Sequence, residues 1–108
     1  MKLILIGATG LVGRHVLALA LADARVSAVV APARKALLAH AKLEAPVVDF
    51  DRLPAQAPWW QADAVICTLG TTMKVAGTRQ VFRRVDHAYP LAVARLALAA
   101  GTRTYVLN

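Results

Sequence analysis

The chain has 108 residues, with thirteen Lys and Arg against six Asp and Glu, a net charge of +7, and 58% hydrophobic residues. That length suits one domain with one core, and so much apolar content excludes a disordered chain. The apolar stretch 16–31 is interrupted by Asp23 and Arg25, and the run Leu3 to Ile6 is too short for a signal-peptide core, so neither a membrane span nor an export signal is expected.

Cys67 is the only cysteine, which rules out an internal disulfide and fits a cytoplasmic location. The basic residues are scattered, with only Arg34-Lys35 and Arg83-Arg84 adjacent, so nucleic acid is not the expected partner.

In chain order, Leu3 to Ile6 reads as a parallel strand buried on both faces. Leu11 to Ala22 is rich in Ala and Leu, lacks Pro, and predicts a helix. Val26 to Ala31 predicts the second strand, ended by Pro32, and 33–41 has room for a short helix. Ala45 to Phe50 predicts the third strand. Pro54 and Pro58 then favour turns or a single helical turn over 51–61. Ala64 to Leu69 predicts the fourth strand. Thr78 to Ala100 reads helical and stops at Gly101, while Arg103 to Leu107 predicts the fifth strand. Pro90 removes the bond to the carbonyl of Asp86, so the long helix should kink or break near Ala88. Val81, Phe82, Val85 and Tyr89 fall on one face of it.

Strand and helix alternate with short connections, which predicts a Rossmann-like, doubly wound parallel sheet of five strands in the order 3-2-1-4-5. Residues 1–108 read as one unit.

The chemistry is concentrated in "GATGLVG", where Gly7, Gly10 and Gly13 recur every third residue between a strand and a helix. Gly7 permits a sharp turn, Gly10 lets the backbone approach a pyrophosphate, and Gly13 lets the helix pack close on the sheet. The helix N-terminus then offers N–H groups and a partial positive charge to the phosphates. No Gly-Lys-Ser/Thr follows, so a nucleoside-triphosphatase loop is not the reading. At the end of the second strand an NAD site ordinarily carries an acid, but SAVVAPARK has none. Arg34 and Lys35 stand there instead, suited to a 2′-phosphate, so NADP(H) is preferred over NAD(H); the alternative is a solvated basic loop. Asp49 either bonds the adenine amino group or is a turn residue. Trp59 and Trp60 either cover a sheet or helix edge or form a partner surface. Cys67 reads as buried and inert, and His15, His40 and His87 lack metal-ligand spacing.

The stretches "GATGLVGRHV", "VVDFDRLP", "DAVICTLGTTMKVAG" and "FRRVDHAYPLAVARLA" resemble the Tat-interactive family of atypical short-chain dehydrogenases/reductases and its bacterial NAD(P)-binding relatives. By that resemblance Gly7, Thr9, Gly10, Leu11, Val12 and Gly13 form the phosphate turn. Arg34 and Lys35 take the 2′-phosphate, Asp49 and Phe50 flank the adenine, and Leu69, Gly70, Thr71 and Thr72 lie along the ribose and nicotinamide. The family's oxidoreductases use a Tyr-x-x-x-Lys pair, which this sequence lacks: the fourth residue after Tyr89 is Val93, and Tyr105 lies three residues from Asn108. The resemblance therefore implies an N-terminal cofactor half, apparently truncated, from a protein that moves hydride between nicotinamide and an unknown carbonyl or alcohol substrate. On that reading the segment has no catalytic residue of its own. The alternative is a non-catalytic NAD(P)-sensing interaction module. An open edge on the fifth strand leads to the expectation of either marginal stability or a homodimer formed through that edge or the exposed apolar faces.

Overall fold

The computed structural model describes residues 1–37, 39–69 and 77–107. Five strands, β1 (Lys2–Ile6), β2 (Ala28–Val30), β3 (Leu43–Glu44), β4 (Ala64–Cys67) and β5 (Thr104–Leu107), form one sheet in the order β3-β2-β1-β4-β5. All four pairings are parallel, with Leu3 beside Val29 on one side and beside Ala64 on the other. The expected Rossmann-like order is the observed one.

The apolar run of β1 serves both faces, because successive side chains point to opposite sides. Leu3 and Leu5 join Ala20, Val26, Val29 and Ala31 under helix α1 (Leu11–Ala22). Ile4 and Ile6 join Val30, Phe50, Trp59, Trp60, Val65, Cys67, Val93 and Ala97 on the other face. Both tryptophans are thus core residues, and the turn that carries them is a single 3₁₀ turn, Pro58–Trp60. Trp60 is 1% exposed; its indole N–H donates to the Pro54 carbonyl at 2.8 Å, and the buried Thr102 hydroxyl donates to the Trp60 carbonyl at 3.0 Å. The same hydroxyl accepts from the Ala62 N–H at 3.3 Å. The partner-surface reading of the tryptophans is therefore set aside: the rings touch in a tilted arrangement, centroids 4.3 Å apart, and both are buried.

Two local expectations are corrected. No helix forms among the described residues of 33–41. Ala33 stays extended and bridges to Val47, donating to the Pro46 carbonyl at 3.1 Å and accepting from Val48 at 2.8 Å, so the chain is committed to the sheet where a helix would start. The third strand also lies earlier than its Val-rich stretch suggests, at Leu43–Glu44, because Pro46 has no N–H for the ladder. Asp49 and Phe50 consequently sit in a turn after the strand.

The helix before β5 has three parts: α2 (Arg79–Arg83), a π turn (Arg84–Ala88) and α3 (Tyr89–Ala99). Pro90 accounts for the middle part. Its ring crowds the carbonyl four residues back and it lacks the N–H to bond it, and one wider turn absorbs the conflict without ending the helix. Of the expected face, Val85 and Tyr89 are half-buried, while the side chains of Val81 and Phe82 lie outside the described set. Gly101, at φ +97°, closes α3 as anticipated. Its N–H donates to Leu98 and the Thr102 N–H to Ala97, both at 3.0 Å, the crossed pair of a Schellman cap. No helix among the described residues is long and apolar enough to cross a membrane.

Candidate dinucleotide site

The glycine turn lies where β1 leaves the sheet, at the carboxyl edge between β1 and β4 where the strand order reverses. Gly7 adopts φ +87°, a left-handed conformation that side chains resist. A Cβ there would meet the Thr68 hydroxyl at 2.7 Å and the Leu69 nitrogen at 2.9 Å. Gly13 is buried in the first turn of α1, and a Cβ on it would fall 1.8 Å from the Gly7 carbonyl oxygen. Helix and strand touch backbone to backbone at this point. Gly10 differs from both. It is exposed, has φ −75°, and a Cβ on it would meet, among the described residues, only the Gly7 oxygen, at 3.4 Å. Its N–H donates to that oxygen at 3.0 Å, closing the turn.

The N-terminus of α1 has no side-chain cap and no acid in its first turn. Thr9, Gly10, Leu11 and Val12 are exposed around it, with Leu11 70% accessible. An uncapped helix end bare of acids and opening to solvent leaves its first N–H groups without intrahelical partners, a setting chemically compatible with an anion.

The other expected residues fall as follows. Arg34 and Lys35 are exposed just beyond β2, and neither joins an ion pair among the described residues. Asp49 is exposed, and its carboxylate accepts the Asp51 N–H at 2.9 Å while its carbonyl accepts the Arg52 N–H at 2.9 Å, the geometry of a turn. Phe50 is buried, its ring 5.7 Å from that of Tyr89. Leu69 packs against the same cluster. Gly70, Thr71 and Thr72 lie outside the described residues.

Thr68 is a residue that pattern reading did not single out. Its hydroxyl is within hydrogen-bond reach of the Ile6 carbonyl at 2.9 Å and the Gly7 carbonyl at 3.2 Å, tying the exit of β4 to the glycine turn. The only sequence signal for it is a hydroxyl residue directly after an apolar strand. Lys42 is another: its ammonium donates to the Leu21 and Asp23 carbonyls at 3.2 and 3.1 Å, capping the far end of α1. On the opposite face the Tyr105 hydroxyl donates to the Pro90 carbonyl at 3.0 Å, and burial, reinforced by a hydrogen bond with Cys67, pushes its phenol well above the ordinary range.

Sheet order, glycine turn and uncapped helix define a Rossmann domain, and over nearly its whole length the chain is similar to two curated proteins. It is 36% identical over 108 residues to Protein HTATIP2 of Rattus norvegicus, covering 95% of this chain and 44% of that protein. It is 35% identical over 112 residues to Protein fmp52-1, mitochondrial, of Aspergillus terreus, covering 95% and 47%. The chain thus spans about half the length of the curated relatives it matches. No family model matches it. Among solved structures, the oxidoreductase ylbE from Lactococcus lactis superposes with a TM-score of 0.77 at 23% identity, over 99% of this chain and 47% of that one. MoeE5, solved with UDP-glucuronic acid and NAD, gives 0.82 at 18% identity over 99% and 36%. These structural likenesses establish the fold.

Proposed function

We propose that this chain is the dinucleotide-binding part of a short-chain-type oxidoreductase and that it takes NADP(H) in preference to NAD(H). The observation that carries the reading is the contrast among the three glycines. Gly7 and Gly13 are required by the protein's own packing, whereas a Cβ on Gly10 would meet, among the described residues, only the Gly7 oxygen at ordinary contact distance, beside the bare end of α1. Space kept open beside unbonded N–H groups suits a pyrophosphate. The neighbours solved with NAD support a dinucleotide in that space.

The choice of NADP(H) rests on Arg34 and Lys35. Both are exposed beyond β2, and no acid occurs in 27–35 to receive a ribose 2′-hydroxyl. A guanidinium offers paired donors and a permanent charge to a 2′-phosphate. Asp49 and Phe50, in the turn after β3, would border the adenine, and Leu69 with Gly70, Thr71 and Thr72 would follow the ribose toward the nicotinamide. Bound there, the nicotinamide supplies hydride; this chain's residues anchor and orient it. The parent reaction is hydride exchange with a carbonyl or alcohol.

Fluorescence titration with NADPH and NADH tests the assignment. Arg34→Ala should weaken NADPH by roughly tenfold or more, the worth of one charge-assisted hydrogen bond, and leave NADH almost unchanged. Equal losses for both would remove Arg34 from the 2′-phosphate.

A further inference from the structure

The helical stretch from α2 through α3 buries Pro90, Val93 and Ala97. Its opposite side carries a single row of exposed residues: Arg79, Arg83, His87, Leu91, Arg95 and Leu98. The steps are four residues, with a last step of three, so the row keeps to one side of the helix through the π turn. It runs for roughly 29 Å at helical rise. None of its arginines joins an ion pair among the described residues, and Asp86 is the only acid in the sequence of 79–99. The leucines are not sheltered: Leu91 is 40% and Leu98 73% accessible, interleaved with Arg95.

We propose that this face is a peripheral docking surface for an anionic lipid bilayer. The pattern argues for a bilayer over the other polyanions. Phosphate groups of a nucleic acid would satisfy the arginines but give the leucines nothing. A bilayer interface offers phosphates and acyl chains at adjacent depths. Leu91 and Leu98 would enter the acyl boundary while Arg79, Arg83 and Arg95 lay their stems on apolar surface and their heads among the phosphates. Such a helix lies in the plane of the interface, so the attachment needs no spanning segment. The surface is separate from the glycine turn, and its failure would leave the dinucleotide assignment standing.

The test is co-sedimentation of the chain with vesicles of phosphatidylcholine, with and without phosphatidylglycerol, far-UV circular dichroism confirming that each variant is folded. The chain should sediment with the anionic vesicles and not with phosphatidylcholine alone. Arg83→Gln with Arg95→Gln should lower partitioning about 25-fold, at roughly fivefold per arginine. Leu91→Gln with Leu98→Gln should lower it about tenfold, as expected for two partly inserted side chains. The proposal is overturned if the folded chain ignores anionic vesicles, or if the leucine pair is without effect. Equally, a short DNA duplex bound more tightly than the vesicles, and undiminished in the leucine variant, would make the face a nucleic-acid contact.

Discussion

Substituting Gly13→Ala tests the backbone approach of α1 to the glycine turn. The added Cβ would sit 1.8 Å from the Gly7 oxygen and 2.6 Å from the Gly7 carbonyl carbon. A Cβ essentially never lies within 3.0 Å of another residue's heavy atom, so the approach to the oxygen falls short by at least about 1.2 Å. Both obstructing atoms are backbone, held by the Gly10 N–H and reached by the Thr68 hydroxyl, so no rotamer change relieves the clash. Helix α1 has to lift from β1, loosening the contacts of Ala20, Val16 and Leu17 with the sheet. Overpacking costs about 3 kcal/mol at the upper end of its range, and alanine's better helix propensity returns about 1 kcal/mol. The net of about 2 kcal/mol corresponds to a Tm lower by roughly 8–16 °C for a domain of this size. Thermal unfolding followed by circular dichroism measures it. A Tm within about 2 °C of the unaltered chain would mean that α1 and β1 are not in backbone contact, and the glycine-turn geometry would fail with it.

Gly10→Val should do the reverse: at φ −75° with one neighbour at 3.4 Å the side chain is accommodated, so Tm should hold while dinucleotide binding by titration is abolished. Retained affinity would place the pyrophosphate elsewhere. Thr102→Val leaves the buried Trp60 carbonyl and the Ala62 N–H without their hydroxyl partner and should cost about 1–3 kcal/mol in urea unfolding; an unchanged midpoint would contradict the clamp. The hydrogen bonds from Arg25 hold Asp23 at about 2, below its ordinary 3.8. A carboxyl lowered in the folded state stabilises above its unfolded value, so this contribution is lost as pH falls from about 4 through about 2. Asp23→Asn should flatten that part of the Tm–pH profile, and an identical profile would show the pair to be idle.

The parts of the fold legible in the sequence are those governed by neighbours in the chain. The run before Gly7 identifies a doubly buried strand, and the three-residue glycine spacing places a helix after it. Gly101 likewise marks its own helix end. The misplacements arise where the sheet overrides local preference. Val47 and Val48 look like strand, yet Pro46 interrupts the ladder there, and Ala33 is drawn into a bridge with Val47 that forbids a helix. Pro90 announces a disturbance, but a kink, a break and a π turn are equivalent until packing on both sides requires the helix to continue. Thr68 and Thr102 act on residues 61 and 42 positions away, and no local pattern encodes such partnerships. For the site, the turn was readable because glycine spacing is itself a backbone requirement. The role of Asp49 was not, since one aspartate serves a turn or an adenine equally well.

Both tryptophans of the chain sit side by side on the same sheet face as α3, and neither joins the cluster under α1. Intrinsic emission therefore watches only half of the protein. A lesion that frees the first helix while leaving the opposite layer closed would pass unseen in a fluorescence melt and appear only in the ellipticity. Agreement between the two optical signals would measure how firmly the single sheet couples its two coats.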